Sequence, residues 1–248
     1  MKIYLCIDDT DNLESKGTGA IAGEITSLIE ANGWGRCQNI TRHQLLVHPD
    51  VPYTSHNSSM CFTAEIENND LDSIINGAIQ ILETESAEGS DPGLCVFVPE
   101  YLPQLQQQEI IRFGRRAKCE VLTKEEAYQL ASKFSIHLSE HGGTGQGVIG
   151  ALAGIGLRLT GNDGRFKGNY KLSSDNNTIL VKEILEKTNI DLVRTQEGYI
   201  LHELEEIILG DKFKSVFLNH KSVLLVEPVE NDGVSKWQPC TGSTLKQY

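Results

Sequence analysis

Over roughly the first hundred residues the apolar pattern switches repeatedly between a strand period and a helix period, which restricts the fold more than any other feature. Lys2 to Ile7 reads as a strand that stops on a polar loop running from Asp8 to Gly19. Ala20 to Ala31 then places Ile21, Ile25, Leu28 and Ile29 on one side of a helix, ended by Asn32-Gly33. Strands are expected near Asn39 to Val47, over Ser59 to Ile66 and over Leu94 to Val98, with a helix over Leu71 to Glu83. This series predicts an α/β (α+β) protein, with mixed sheets and helices that include a ferredoxin-like arrangement.

Farther on, Leu105 to Phe113 reads as helix and Lys118 to Val121 as strand. Thr123 before Lys124-Glu125-Glu126 is a good cap for a helix reaching about Leu138. A glycine-rich stretch leads into an apolar helix, Val148 to Leu157. After Thr160 to Gly168 the texture changes: Ile179 to Lys187 and Leu201 to Leu209 read as helices, Val223 to Val229 as a strand, and 232–248 as loop. Two lobes are expected, an α/β domain over 1–118 and a second α/β domain over 119–248.

Charge narrows the function. With 34 Asp and Glu against 22 Lys and Arg, the net charge is -12. Such a chain gains nothing overall from phosphate attraction, which argues against independent nucleic-acid binding. No apolar run is long enough for a membrane helix, and the first residues reach Asp8-Asp9 too soon for a signal peptide, so a cytoplasmic location is expected. The 6 cysteines are scattered without a CxxC pair and read as core residues rather than zinc ligands.

The strongest chemical signal is Ile7-Asp8-Asp9-Thr10-Asp11-Asn12, followed by Lys16-Gly17-Thr18-Gly19. Acids this crowded repel one another and call for a cation. They stand where a strand leaves the sheet, a usual place for ligands. Oxygen ligands there suit Mg²⁺ bound through one or two carboxylates and substrate phosphates. The alternative is a solvated acidic loop that caps a helix. His141-Gly142-Gly143-Thr144-Gly145-Gln146-Gly147 offers close backbone approach and a helix start, so Gly143, Gly145 and Gly147 are candidates for an anion; the alternative is a flexible joint between helices. No Lys-Ser/Thr pair follows, so this is not a Walker A loop. Arg115 and Arg116 lie in the one dense basic run, Arg112 to Lys118, and could hold phosphate or simply be solvated. His48, His56 and His141 are candidate proton carriers.

Ile7-Asp8-Asp9-Thr10-Asp11 with Gly17-Thr18-Gly19 resembles the amino-terminal motif of the archaeal isoleucine-tRNA 2-agmatinylcytidine synthetases. Leu45 to Pro52, Ser90-Asp91-Pro92-Gly93 and the Gly147 to Gly156 helix are similar to further stretches of that family, over roughly the first 165 residues. The resemblance implies an ATP- and Mg²⁺-dependent catalytic region. Asp8, Asp9 and Asp11 would handle metal or phosphate, Thr10 and Thr18 would make polar contacts, and the Gly147 helix start would lie near nucleotide. His48 is assigned a catalytic place. The family's basic run after the proline is replaced by Tyr53-Thr54-Ser55-His56-Asn57, and its OB-like module and zinc ribbon are not found here. The expected activity is therefore Mg-ATP-dependent phosphoryl or nucleotidyl transfer to a small molecule, by a transferase or ligase. The alternatives are a tRNA- or nucleotide-modifying enzyme working with a partner protein, and a non-catalytic nucleotide-binding regulator or scaffold. A protein partner or a homo-oligomer is compatible with each.

Overall fold

A computed structural model describes residues 1–49, 57–174, 176–231 and 234–248. They form two compact units, Met1–Thr160 and Gly161–Tyr248.

Unit 1 is built around β1 (Lys2–Asp8), whose neighbours are β4 (Ser58–Ile66) and β5 (Gly93–Phe97), both antiparallel to it. β3 (Thr41–Gln44) and the short β2 (Gly35–Cys37) pair with β4, and β6 (His137–Glu140) pairs with β5. The order β6-β5-β1-β4-β3 places first-encountered β1 in the middle. Alternation along β1 then divides the unit. Ile3, Leu5 and Ile7 pack with α1 (Thr18–Ala31) and α2 (Leu71–Glu85). Tyr4 and Cys6 face the other way, toward α3 (Gln104–Arg116), α4 (Lys124–Lys133) and α5 (Gly147–Leu159). α5 packs tightly because it is made of small residues: a Cβ at Gly156 would meet the Ile110 carbonyl of α3, and one at Gly154 would meet Cys6 Sγ and Ser59 Oγ.

That packing moves the domain boundary. The expected break at 118/119 would cut α5 away from β1, β5 and α3, which it joins into one core; the division falls after Thr160. The expected strand over Lys118 to Val121 is instead a turn closing α3, with Cys119 and Glu120 amides donating to the Arg116 carbonyl. The helix begun at Thr123 ends at Lys133, because Ser135 takes a left-handed φ of 52° and the chain then pairs with β5 as β6.

Unit 2 contains β7 (Arg165–Phe166), β8 (Thr178–Leu180), α6 (Val181–Lys187), β9 (Leu192–Thr195), β10 (Glu206–Ile208), β11 (Val216–Leu218), β12 (Lys221–Asn231), β13 (Val234–Pro239) and α7 (Gly242–Leu245). β12 organises it, pairing antiparallel with β11 and β13 and parallel with β9. The helix expected over Leu201 to Leu209 is a loop and β10, since Ile207 pairs with Ile179 and Trp237. The supposed terminal loop supplies β13 and α7. Ile184, Val193, Ile207, Leu224 and Val226 are buried in one cluster, and Val216, Val223, Leu225 and Cys240 in another. Among the described residues no helix is long and apolar enough to cross a membrane.

Candidate functional site

β1 ends on Asp8, which by alternation shares the face of Tyr4 and Cys6 and so lies under α5. Asp8 is only 7% exposed, and α5 must be glycine where it passes: a Cβ at Gly150 would run into Asp8 Oδ2. Burial, followed by repulsion from Asp9, pushes the Asp8 carboxyl up to about 8, against an opposing hydrogen bond from the Asp9 amide. Asp9 turns the chain with a left-handed φ of 51°, unusual for a residue with a side chain. Its carboxyl is raised to about 6, mainly by burial and then by the charges of Asp91 and Asp11. Asp11 Oδ1 accepts a hydrogen bond from Thr18 Oγ1 at 3.3 Å, which ties the acidic loop to the first residue of α1. Asn12 folds the rest of the loop back by accepting from the Glu14 and Ser15 amides. Lys16 fastens it to α1 and α2 through Glu24 at 2.6 Å and Glu85 at 2.5 Å.

Thr10 is fully buried, its carbonyl accepts from the Ala87 amide, and its Oγ1 has no partner among the described residues. Such a group is one that a water or a ligand can satisfy. Among the described residues no Lys or Arg forms an ion pair with Asp8, Asp9, Asp11 or Asp91. No three His, Cys, Asp or Glu side chains among them form a ready metal cage either. A cation fits this donor set through one or two carboxylates, with its other ligands supplied by a bound molecule.

The glycine-rich segment lies beside the acids. Gly142, Gly143 and Gly145 have φ of 158°, 55° and 76°. A Cβ at Gly143 would strike Asp91, and one at Gly145 would strike Glu140. These glycines are therefore demanded by the protein's own carboxylates as well as by backbone conformation. Asp91 accepts from the Thr144 amide and, at 2.5 Å, from Thr144 Oγ1. The Gly147 amide donates to the Asp91 carbonyl and the Ile149 amide to the Gln146 carbonyl. Two N–H groups at the α5 start, expected to meet phosphate, are thus already engaged.

The other candidates sit on α3, after β3 and just after β6. Arg116 donates to Glu120 at 2.7 Å and Glu126 at 2.9 Å in a cleft between α3 and α4, which leaves it no obvious phosphate role. Arg115 is exposed in the last turn of α3, and His48 is half-buried after β3. His56, with Asp50 to Tyr53, lies outside the described residues. His141 directly follows β6 and continues a row of its side chains: Ser139 Oγ lies 2.8 Å from His141 Nε2 and 3.0 Å from His137 Nε2. Burial holds both histidines below the usual value. Sequence reasoning missed Asp91 as a site residue, although Asp91-Pro92-Gly93 is a plain turn signal.

No protein-family model matches the chain. An uncharacterised protein of Methanocaldococcus jannaschii is 28% identical over 156 residues, 63% of this chain and 50% of that one. Among solved structures, a tRNA fluorescent labelling enzyme superposes with a TM-score of 0.54 at 20% identity, covering 75% of this chain and 43% of that one. Apo TiaS, a tRNA agmatidine synthetase, gives the same TM-score of 0.54, 20% identity and coverage of 75% and 43%. Across three-quarters of the chain the fold is shared with part of TiaS. TiaS solved with tRNA and ATP also matches, at 20% identity and a TM-score of 0.54 over 75% of this chain and 44% of that one. The chain thus spans about half the length of its curated relative and less than half of TiaS. The motif resemblance and the shared fold agree, and the likeness to TiaS at this identity is one of architecture.

Proposed function

We propose that unit 1 binds Mg-ATP at the end of β1 and transfers a phosphoryl or nucleotidyl group to an acceptor. The observation that carries this reading is the gathering of Asp8, Asp9, Asp11 and Asp91 beside the glycine-rich loop, with no Lys or Arg among the described residues in an ion pair with them. Asp8 or Asp9 would hold Mg²⁺ together with phosphate oxygens, and the ion would neutralise charge on the transferring group. Asp8, largely protonated near neutral pH, would hold a cation as its carboxylate, its proton passing to solvent. Thr18 orients Asp11. Thr10 Oγ1 offers a buried polar contact, and the Gly143 and Gly145 amides would donate to phosphate, the Thr144 amide between them being taken by Asp91. The split β-α-β frame that places β1 between β4 and β5 is read as ferredoxin-like, with unit 2 as a second lobe.

The preferred acceptor is a small molecule, in keeping with the chain's charge of -12. A tRNA acceptor delivered with a partner protein is the second reading, favoured by the fold shared with TiaS, which has been solved with tRNA and ATP. Calorimetry with Mg-ATP, followed by chromatography of products formed from a metabolite panel and from tRNA, separates the two. Asp8→Asn and Asp9→Asn should each weaken Mg-dependent nucleotide binding or turnover by on the order of a hundredfold while the protein stays folded. Asn imitates the protonated acid in size and neutrality, so stability is spared. Wild-type binding and turnover in both variants would remove the site, and binding without turnover of any acceptor would favour a nucleotide-responsive regulator.

A further inference from the structure

Thr144 is gripped from two directions by Asp91 and Lys124, neither of which the sequence marks as a site residue. On one side Asp91 takes both its amide and its hydroxyl. On the other, Lys124 Nζ donates to the Thr144 carbonyl at 2.7 Å and to Glu140 Oε2 at 2.7 Å. The three polar groups of Thr144 are therefore all committed to parts of the chain 53 and 20 residues away. Lys124 stands at the first position of α4, where the helix dipole disfavours a cation. The helix start is nevertheless firmly set by a capping box: the Glu126 amide donates to Thr123 Oγ1 at 3.2 Å and the Thr123 amide to Glu126 Oε2 at 3.0 Å. A residue that costs its own helix but reaches a loop has its use in the loop.

We infer that Lys124 and Asp91 are positioning residues that clamp Thr144 and hold the 142–146 loop in its anion-binding shape before any ligand arrives. This rests on the reading of the site as a nucleotide site. A loop whose backbone is fixed in advance loses less freedom on binding, so the clamp acts on affinity. Asp91 does this at an electrostatic cost, since its charge raises the neighbouring Asp9 carboxyl.

Lys124→Met removes one jaw, and Thr144→Val removes the hydroxyl bond of the other while keeping the amide. Lys124→Arg and Thr144→Ser restore the donors. Hydrogen exchange of the loop amides is measured on the free full-length protein, and Mg-ADP affinity by calorimetry. The Met and Val variants should raise loop exchange by about tenfold and weaken Mg-ADP by roughly three- to tenfold, with the Arg and Ser variants close to wild type. The thermal midpoint should move by less than about 2 °C, because the Lys124 contacts are partly exposed. If wild type binds Mg-ADP and the Met and Val variants match it in both measurements, the clamp is overturned while the nucleotide site stands. If wild type fails to bind Mg-ADP, the nucleotide site falls and takes this role with it.

Discussion

The two faces of the unit 1 sheet are filled differently, although β1 supplies both. The face toward α1 and α2 is hydrocarbon almost throughout, with Ile3, Leu5, Ile7, Ile21, Ile25, Ile29, Phe62, Ile74 and Leu82 fully or nearly fully buried. The face toward α5 mixes Tyr4, Cys6 and Cys61 with Ser59, Thr41, His43 and the buried cation Arg158. Arg158 Nη1 donates to Thr41 Oγ1 at 2.5 Å and to the Cys61 carbonyl at 3.0 Å, and its Nη2 to the Asn39 carbonyl at 3.1 Å. Both faces bury apolar area, with Phe97, Ile110, Phe113, Leu152 and Ile155 on the second, but the second adds close glycine contacts and a buried polar network, and Asp8 belongs to it. Strand alternation thus allows a costly site to sit one residue from a conventional core.

Breaking the apolar face should damage stability and spare the site. Leu5→Ala, fully buried beside α1, is expected to cost roughly 2–5 kcal/mol of unfolding free energy. Mg-ATP affinity of the folded fraction should not change. Urea denaturation together with calorimetry measures both, and a loss of affinity as large as that in Asp8→Asn would show that the two faces are not independent.

Crowding the polar face should do both kinds of damage at a smaller cost in stability. Gly150→Ala gains helix propensity, about 1 kcal/mol, but drives its methyl into Asp8 Oδ2. Relief by backbone shift is expected to leave a net loss of roughly 1–3 kcal/mol, with weaker nucleotide binding. Removing the obstacle in Asp8→Ala/Gly150→Ala should recover stability and not binding. If the double variant is no more stable than Gly150→Ala alone, Asp8 is not what α5 is shaped around.

Much of unit 1 was legible because long periodic segments announce themselves: β1, α1, β4, α2, β5 and α5 all lie within a few residues of where the sequence places them. β6, β10 and β13 were not, since each is short and owes its conformation to pairing partners rather than to its own pattern. The domain boundary was misread for the same reason: α5 belongs with β1 through contacts that no local composition reveals. In the site, Asp8, Asp9 and Asp11 stood out because they are adjacent in sequence. Asp91 and Lys124 did not, because they meet only at Thr144. Glu120, four residues on from Arg116, could have been recognised in the sequence as its partner.

The smallest effect separates the faces by pH. Asp8 and Asp9 titrate near 8 and 6 in the fold, above their ordinary value of 3.8. The folded state therefore holds protons that the unfolded chain has released, and the stability this brings is lost as pH rises through those values. His137 and His141, held low by burial, act in the opposite sense, with their contribution complete above about pH 6.5. The interval from about pH 7 to 8.5 consequently reports Asp8 almost alone among these groups. There the thermal midpoint should fall by a few degrees in wild type and much less in Asp8→Asn. Mg²⁺ should raise it most at the alkaline end, where the carboxylate is ionised and a cation has the most to offset. Leu5→Ala should keep the wild-type slope at a lower midpoint. A flat wild-type profile over that interval, or a Mg²⁺ shift that does not grow with pH, would mean that Asp8 is not buried as a proton-bearing acid beneath α5.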